Sequence, residues 1–224
     1  MIYDAVGHGE SNGTSTVTWN HTIGSGNNRR LDVLASISAG SARTVTAVTY
    51  NGVALTHYVA ADAGTVQHIE AWYLLEASMP AAGTYVISVS FSGTGSGLFG
   101  DSISHSDAYQ GAPEAEASNA AYSSSHTLSV TTITDGAVIY EKVHIDNTVT
   151  ITADDGQTQI AQGQFNGDTY QTTKLTVATA GATPVGQSWV SNSSYAAAAI
   201  AIAPGPASSS TKNTLRPMQP LRGL

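Results

Sequence analysis

A two-residue alternation between apolar or β-branched side chains and polar ones recurs along most of this chain, and it constrains the fold more than any other feature. Successive side chains of a strand point to opposite faces, so a strand with one buried face reads as such an alternation, whereas a helix repeats every three to four residues. The runs "STVTWN" (15 to 20), "LDVLASIS" (31 to 38), "TVTAVTY" (44 to 50), "YVISVSFS" (85 to 92), "HTLSVTT" (126 to 132), "AVIYEKVHI" (137 to 145) and "TVTITA" (148 to 153) all follow it. Clusters of Gly, Asn, Asp and Ser separate them, as turns require. The pattern predicts ten to twelve short strands and no convincing helix, hence an all-β chain folded as a two-sheet antiparallel β-sandwich.

Local signals agree. Asn51-Gly52 lies between two alternating runs in "YNGVALT", and a two-residue type I′ hairpin needs positive φ at both central positions. Two segments have helix-friendly composition, "HIEAWYLLEASM" (68 to 79) and "SYAAAAIAIA" (194 to 203). In the first, Ile69, Ala71, Tyr73 and Leu75 alternate; the second has no capping residue at its start and ends at Pro204. Both read as strands, the second as a central strand whose alanines allow tight packing between sheets. The small, polar stretch 106 to 124 reads either as a linker between two small domains or as a long loop crossing one sandwich.

A chain of 224 residues can bury a sizeable core. It has no cysteine, so neither disulfides nor thiolate metal sites contribute. Met1 leads into "IYDAVGHGES" without a basic start and an apolar stretch, which reads as a product made in the cytoplasm and not exported by a signal peptide. The longest apolar run, 195 to 203, is too short for a membrane-spanning helix. Residues 1 to 211 hold sixteen acids against five bases, a net of −11, whereas Lys212, Arg216 and Arg222 give the remainder +3. An acidic body argues against nucleic acid as a partner, since phosphates need a basic face.

The end of the chain has a different period. Residues 206 to 214 are mostly Ser, Thr, Lys and Asn, a tether composition. From 215 the repeat is three: apolar Leu215, Met218, Leu221 and Leu224; polar Arg216, Gln219 and Arg222; then Pro217, Pro220 and Gly223. Three residues per turn is polyproline II, in which the apolar residues line up as one stripe about 28 Å long. Such a stripe has nothing of its own to pack on. The tail therefore reads as an extended docking arm whose partner-binding residues are Leu215, Arg216, Pro217, Met218, Pro220, Leu221, Arg222 and Leu224.

Candidate chemistry is sparse. "FGDSIS" (99 to 104) matches the first block of GDSL-type esterases, with Ser102 as the nucleophile. That arrangement needs a strand-to-helix turn and a later Asp-x-x-His, and neither follows here, so Ser102 reads as a strand serine. Seven histidines (His8, His21, His57, His68, His105, His126 and His144) show no ligand spacing, and His144-x-Asp146 reads as a strand surface. Asp154-Asp155-Gly156 offers carboxylates for Ca2+, but it lacks the alternating ligands of a dedicated loop and reads as a turn. Trp19, Trp72 and Trp189, with Tyr50, Tyr58 and Tyr73, are the residues from which a sugar-stacking platform would be built; inside strands, aromatics of this size read as core. No catalytic residues, metal ligands or cofactors are assigned.

The ordered series "VTWNHTIGSGNNRRLDVLASIS", "VTAVTYNGVALTH", "IEAWYLLEASMPAAGTYVISVSFSG", "SISHSDAYQGAP", "DGAVIYEKV", "GQTQIAQ" and "AAAAIAIAP" resembles a β-sandwich module of tailed-phage virion proteins, also found in some secreted bacterial surface proteins. It covers about residues 14 to 204 in a single pass. The resemblance implies one jelly-roll-like sandwich domain over 1 to 204, followed by the arm at 205 to 224, and it implies a structural or adhesive role. The expected function is a non-enzymatic virion protein, a capsid decoration or cement protein. Its arm would grip the major capsid protein or another virion protein, and a homotrimer would match a symmetric lattice. The alternative is a carbohydrate-binding or host-adhesion module of a phage tail or bacterial surface.

Overall fold

Alternation is realised as strands almost throughout. A computed structural model describes residues 1 to 63, 67 to 154 and 156 to 206. Its strands are β1 (Ile2–Ser11), β2 (Thr16–Ile23), β3 (Arg30–Ser38), β4 (Val45–Tyr50), β5 (Val53–Ala54), β6 (Thr56–Asp62), β7 (Gln67–Leu75), β8 (Gly83–Phe91), β9 (Gly97–Ser106), β10 (Ala115–Thr132), β11 (Val138–Ile145), β12 (Ile151–Ala153), β13 (Thr158–Phe165), β14 (Asp168–Thr176) and β15 (Gly181–Ile202). The helical composition of 68 to 79 yields only one 3-10 turn, Glu76–Ser78, after β7. Asn51 (φ 51°) and Gly52 (φ 78°) form the two-residue turn that their sequence predicts, with Tyr50 paired to Val53.

All ladders are antiparallel, and they make three sheets where the alternation alone predicted two. The first has the order β1-β9-β3-β7-β6, the second β2-β8-β4-β5, and the third β10-β15-β11-β14-β13 with β12 on β15. The first two use only strands before residue 107, the third only strands after 114. The stretch 106 to 124, read from sequence as linker or loop, is strand from Ala115 onward.

Face by face, the cores follow from strand parity. On β3, Leu31, Val33, Ala35 and Ile37 face the second sheet and pack with Val17, Val48, Ile87 and Val89. Leu34 faces the third sheet, joining Ile69, Ala71 and Ile103 against Tyr140, Ala196, Ala198, Ile200 and Ile202. The third sheet's far face is covered by its own hairpin. The β10/β15 register jumps from Ser123↔Ser193 to Ser125↔Ser188, and this bulge lets the distal half fold back, so that Leu128, Val130, Val185 and Trp189 pack onto Ile139, Val143, Ala197 and Ala199. Ala196 to Ala199 of β15 are thus buried alternately on both faces of a strand paired on both edges, and their small side chains permit close stacking of sheets.

Candidate functional site

Parity on β9 splits the "FGDSIS" motif between two layers. Ser102 points toward the second sheet, where its Oγ accepts a hydrogen bond from Trp19 Nε1 (2.9 Å) and lies 2.9 Å from His21 Nδ1. Trp19 lies across Gly9 and Gly100, where a Cβ would overlap its ring. Structure therefore brings Ser102 to a histidine that sequence did not pair with it. Both are buried, Ser102 at 0% exposure and His21 at 2%. Burial drives the His21 pKa down to about 4, against a weaker upward pull from Asp4, so its ring is neutral at neutral pH. His21 Nε2 has no hydrogen-bond partner among the described residues, and thus no carboxylate orients the ring as a triad requires.

Asp101 points the other way, into the seam between the first and third sheets. His8 is its cross-strand neighbour on β1, and His8 Nδ1 donates to Asp101 Oδ1 (2.8 Å). In the facing sheet, Lys142 of β11 and Thr172 of β14 are likewise cross-strand neighbours. Lys142 Nζ contacts Asp101 Oδ2, and Thr172 Oγ1 donates to the same oxygen (2.6 Å). Asp101, Lys142 and Thr172 are completely buried. Burial opposes ionisation of Asp101, but the charge of Lys142 and the hydrogen bond from His8 outweigh it and hold the carboxyl at about 2. Burial lowers the Lys142 pKa, with Asp101 pulling it back up. His8 is the partly exposed end of the cluster: Tyr170 OH donates to its Nε2 (2.9 Å), and Glu10 Oε2 lies 3.5 Å from that nitrogen.

A second polar group closes the same seam. Arg30, fully buried, forks onto both oxygens of Asp32 (2.8 to 3.0 Å) and donates to the Gly111 carbonyl (2.6 Å), which fastens the segment joining β9 to β10. Burial raises the Asp32 pKa against the opposing pull of Arg30. His105 Nε2 meets Tyr140 OH (2.6 Å). Burial lowers His105 to about 3 and raises Tyr140, so both are neutral and share one hydrogen bond.

The remaining candidates disperse. His144 is buried with its Nε2 3.5 Å from Asp168, whereas Asp146 is exposed beyond the strand end. Asp154 accepts a hydrogen bond from Ser188 Oγ (3.2 Å), and Asp155 lies outside the described residues. No group of three or more possible metal ligands occurs among the described residues. Trp19, Trp189 and Tyr50 are core residues, as strand placement predicts; Trp72 is half-buried and donates to Glu70 Oε2 (3.1 Å), Tyr58 donates to the Pro113 carbonyl (2.9 Å), and Tyr73 lies under the Arg30 guanidinium. These six form no common platform. The arm residues Leu215, Arg216, Pro217, Met218, Pro220, Leu221, Arg222 and Leu224 lie outside the described residues. Their root is described: Pro204 bridges Ala108, Gly205 N donates to the Asp107 carbonyl (2.7 Å), and an open hollow of about 460 Å³ beside it is lined by Tyr109, Pro113, Glu114, Ile133 and Pro204.

Comparison with family models, with curated proteins and with solved structures returned no match to this chain.

Proposed function

We propose that this chain is a non-enzymatic structural protein of a virion, a capsid decoration protein held to the particle through residues 205 to 224. The observation that carries the reading is the way the arm is rooted. β15 is hydrogen-bonded to β10 on one edge and β11 on the other, and it runs through Ala203 and Pro204 directly into the arm. A load on the arm is therefore taken up in shear along two ladders of an interior strand, the geometry expected of an anchored display module. Two further features support it. The polar groups that would otherwise suggest chemistry are spent inside the layers, and the resemblance of the sequence pattern to virion sandwich modules implies a structural role. Three copies around a lattice symmetry axis would supply the avidity that one short arm lacks. The carbohydrate-binding reading gains nothing from the aromatics, which are engaged in core and seam.

The test is composition of purified particles. The chain should be found on intact particles at a fixed ratio to the major capsid protein, and its confinement to the soluble fraction of the lysate would contradict the proposal.

A further inference from the structure

We propose that Asp101 and Lys142 condense into an intramolecular amide, a covalent cross-link between β9 and β11 that staples the two halves of the chain. Nζ and the carboxylate are in contact, both side chains are wholly buried, and the cross-strand neighbour of each, His8 beside Asp101 and Thr172 beside Lys142, bonds the Asp101 carboxylate. An ion pair with no exposure is a poor bargain for stability, because desolvating both charges offsets most of their attraction. Condensation removes both charges, and in a dry seam hydrolysis has little water to draw on.

Each participant has a role set by its hydrogen bonds. Proton transfer within the pair, with the proton settling on Oδ1, converts the resting ammonium and carboxylate into a minor population of amine and carboxylic acid, the forms that burial by itself favours. The Nζ lone pair then attacks Cγ. Oδ2 remains as the amide oxygen, and Thr172 Oγ1, 2.6 Å away, stabilises the negative charge it carries in the tetrahedral intermediate. Oδ1 departs. His8 Nδ1, 2.8 Å from it, hands over its proton and is reloaded by one released from Nζ. Two of the three ammonium protons thus leave with Oδ1 as water, the Nζ–Cγ bond replaces the Cγ–Oδ1 bond, and no oxidant or cofactor takes part. His8, the exposed end of the cluster, marks the side from which the water leaves. The chain has no cysteine, and this link would join residues 41 positions apart in sequence.

The purified full-length chain tests this without any variant. Its intact mass should be one water lighter than its sequence, and trypsin should yield a branched peptide joining Asp101 to Lys142 with no cleavage after Lys142. Asp101→Ala and Lys142→Ala should each have the mass of their sequence. Asp101→Asn should lose ammonia instead of water and so reach the same mass as the cross-linked wild type. His8→Ala should leave a substantial fraction unlinked. A wild-type chain of full sequence mass, or one whose Lys142 is cleaved quantitatively by trypsin, would show an ordinary ion pair and overturn the proposal.

Discussion

Asp101 and Lys142 face each other across the seam between two sheets, each fully buried and each the cross-strand neighbour of a residue that also reaches the shared carboxylate. The seam is therefore polar at its centre and apolar around it, where Leu34, Ile69 and Ile103 meet Ala196, Ala198 and Ile200. Truncating either member leaves the other uncompensated in a dry layer. Lys142→Ala removes the partner and with it the proposed cross-link, and should lower stability by about 3 to 5 kcal/mol, read as a shift of the urea midpoint; an unchanged midpoint would mean that water reaches Asp101 and that no cross-link stabilises the wild type.

A second expectation concerns Trp19 and Gly100. The indole covers Gly100 so closely that any Cβ there overlaps the ring. Gly100→Val should destabilise by about 1 to 3 kcal/mol through overpacking, and near-UV circular dichroism should report a displaced Trp19. A wild-type melting temperature would show that the ring has room to move.

Ser102 is expected to be structural. Ser102→Ala leaves Trp19 Nε1–H without its acceptor at 2.9 Å, a cost of about 1 to 3 kcal/mol. Purified protein should not turn over an activated ester. Turnover that vanishes in Ser102→Ala would contradict the structural role.

Acid should weaken the fold through its buried histidines. His21 and His105 have folded pKa values depressed by burial, to about 4 and about 3, from the ordinary histidine value of about 6.5. Below 6.5 the unfolded chain takes up protons that the folded chain refuses, so stability is full above that pH and falls as pH drops toward 4. Each histidine contributes a loss of about 3 kcal/mol over that window. Urea midpoints at pH 7.5 and 4.5 should differ accordingly, and His21→Gln should flatten part of the slope. A pH-independent midpoint would show that both rings are solvated.

Sequence alternation made much of this fold legible. "LDVLASIS", "YVISVSFS" and "AVIYEKVHI" became β3, β8 and β11, and the alanine run became an interior strand of its sheet, paired on both edges. Strands whose buried faces are polar were not legible. β14, "DTYQTTKLT", has six consecutive buried residues, among them three threonines and a glutamine, because it lines polar interiors; a hydrophobicity pattern carries no trace of that. Sparse charge was the available signal for the seam. Lys142 is one of five basic residues in the body, and it stands with Glu141 and His144 in a strand whose other residues are apolar or aromatic, a setting in which buried charge needs partners. Asp101 as that partner could not be read, since β9 and β11 meet only through sheet stacking. The third sheet escaped for a related reason: its hairpin folds at a bulge among serines, which look like any other turn cluster.

In the proposed function residues 205 to 224 link this scaffold to a particle, so their removal is the most direct test of it. A chain ending at residue 204 should keep a nearly unchanged melting temperature, because among the described residues the buried cores end at Ala203. Full-length and shortened chains should then be mixed with undecorated particles and sedimented together. Co-sedimentation of the full-length chain, with loss of at least tenfold for the shortened one, is the expected result, and equal retention of the two would contradict anchoring through residues 205 to 224.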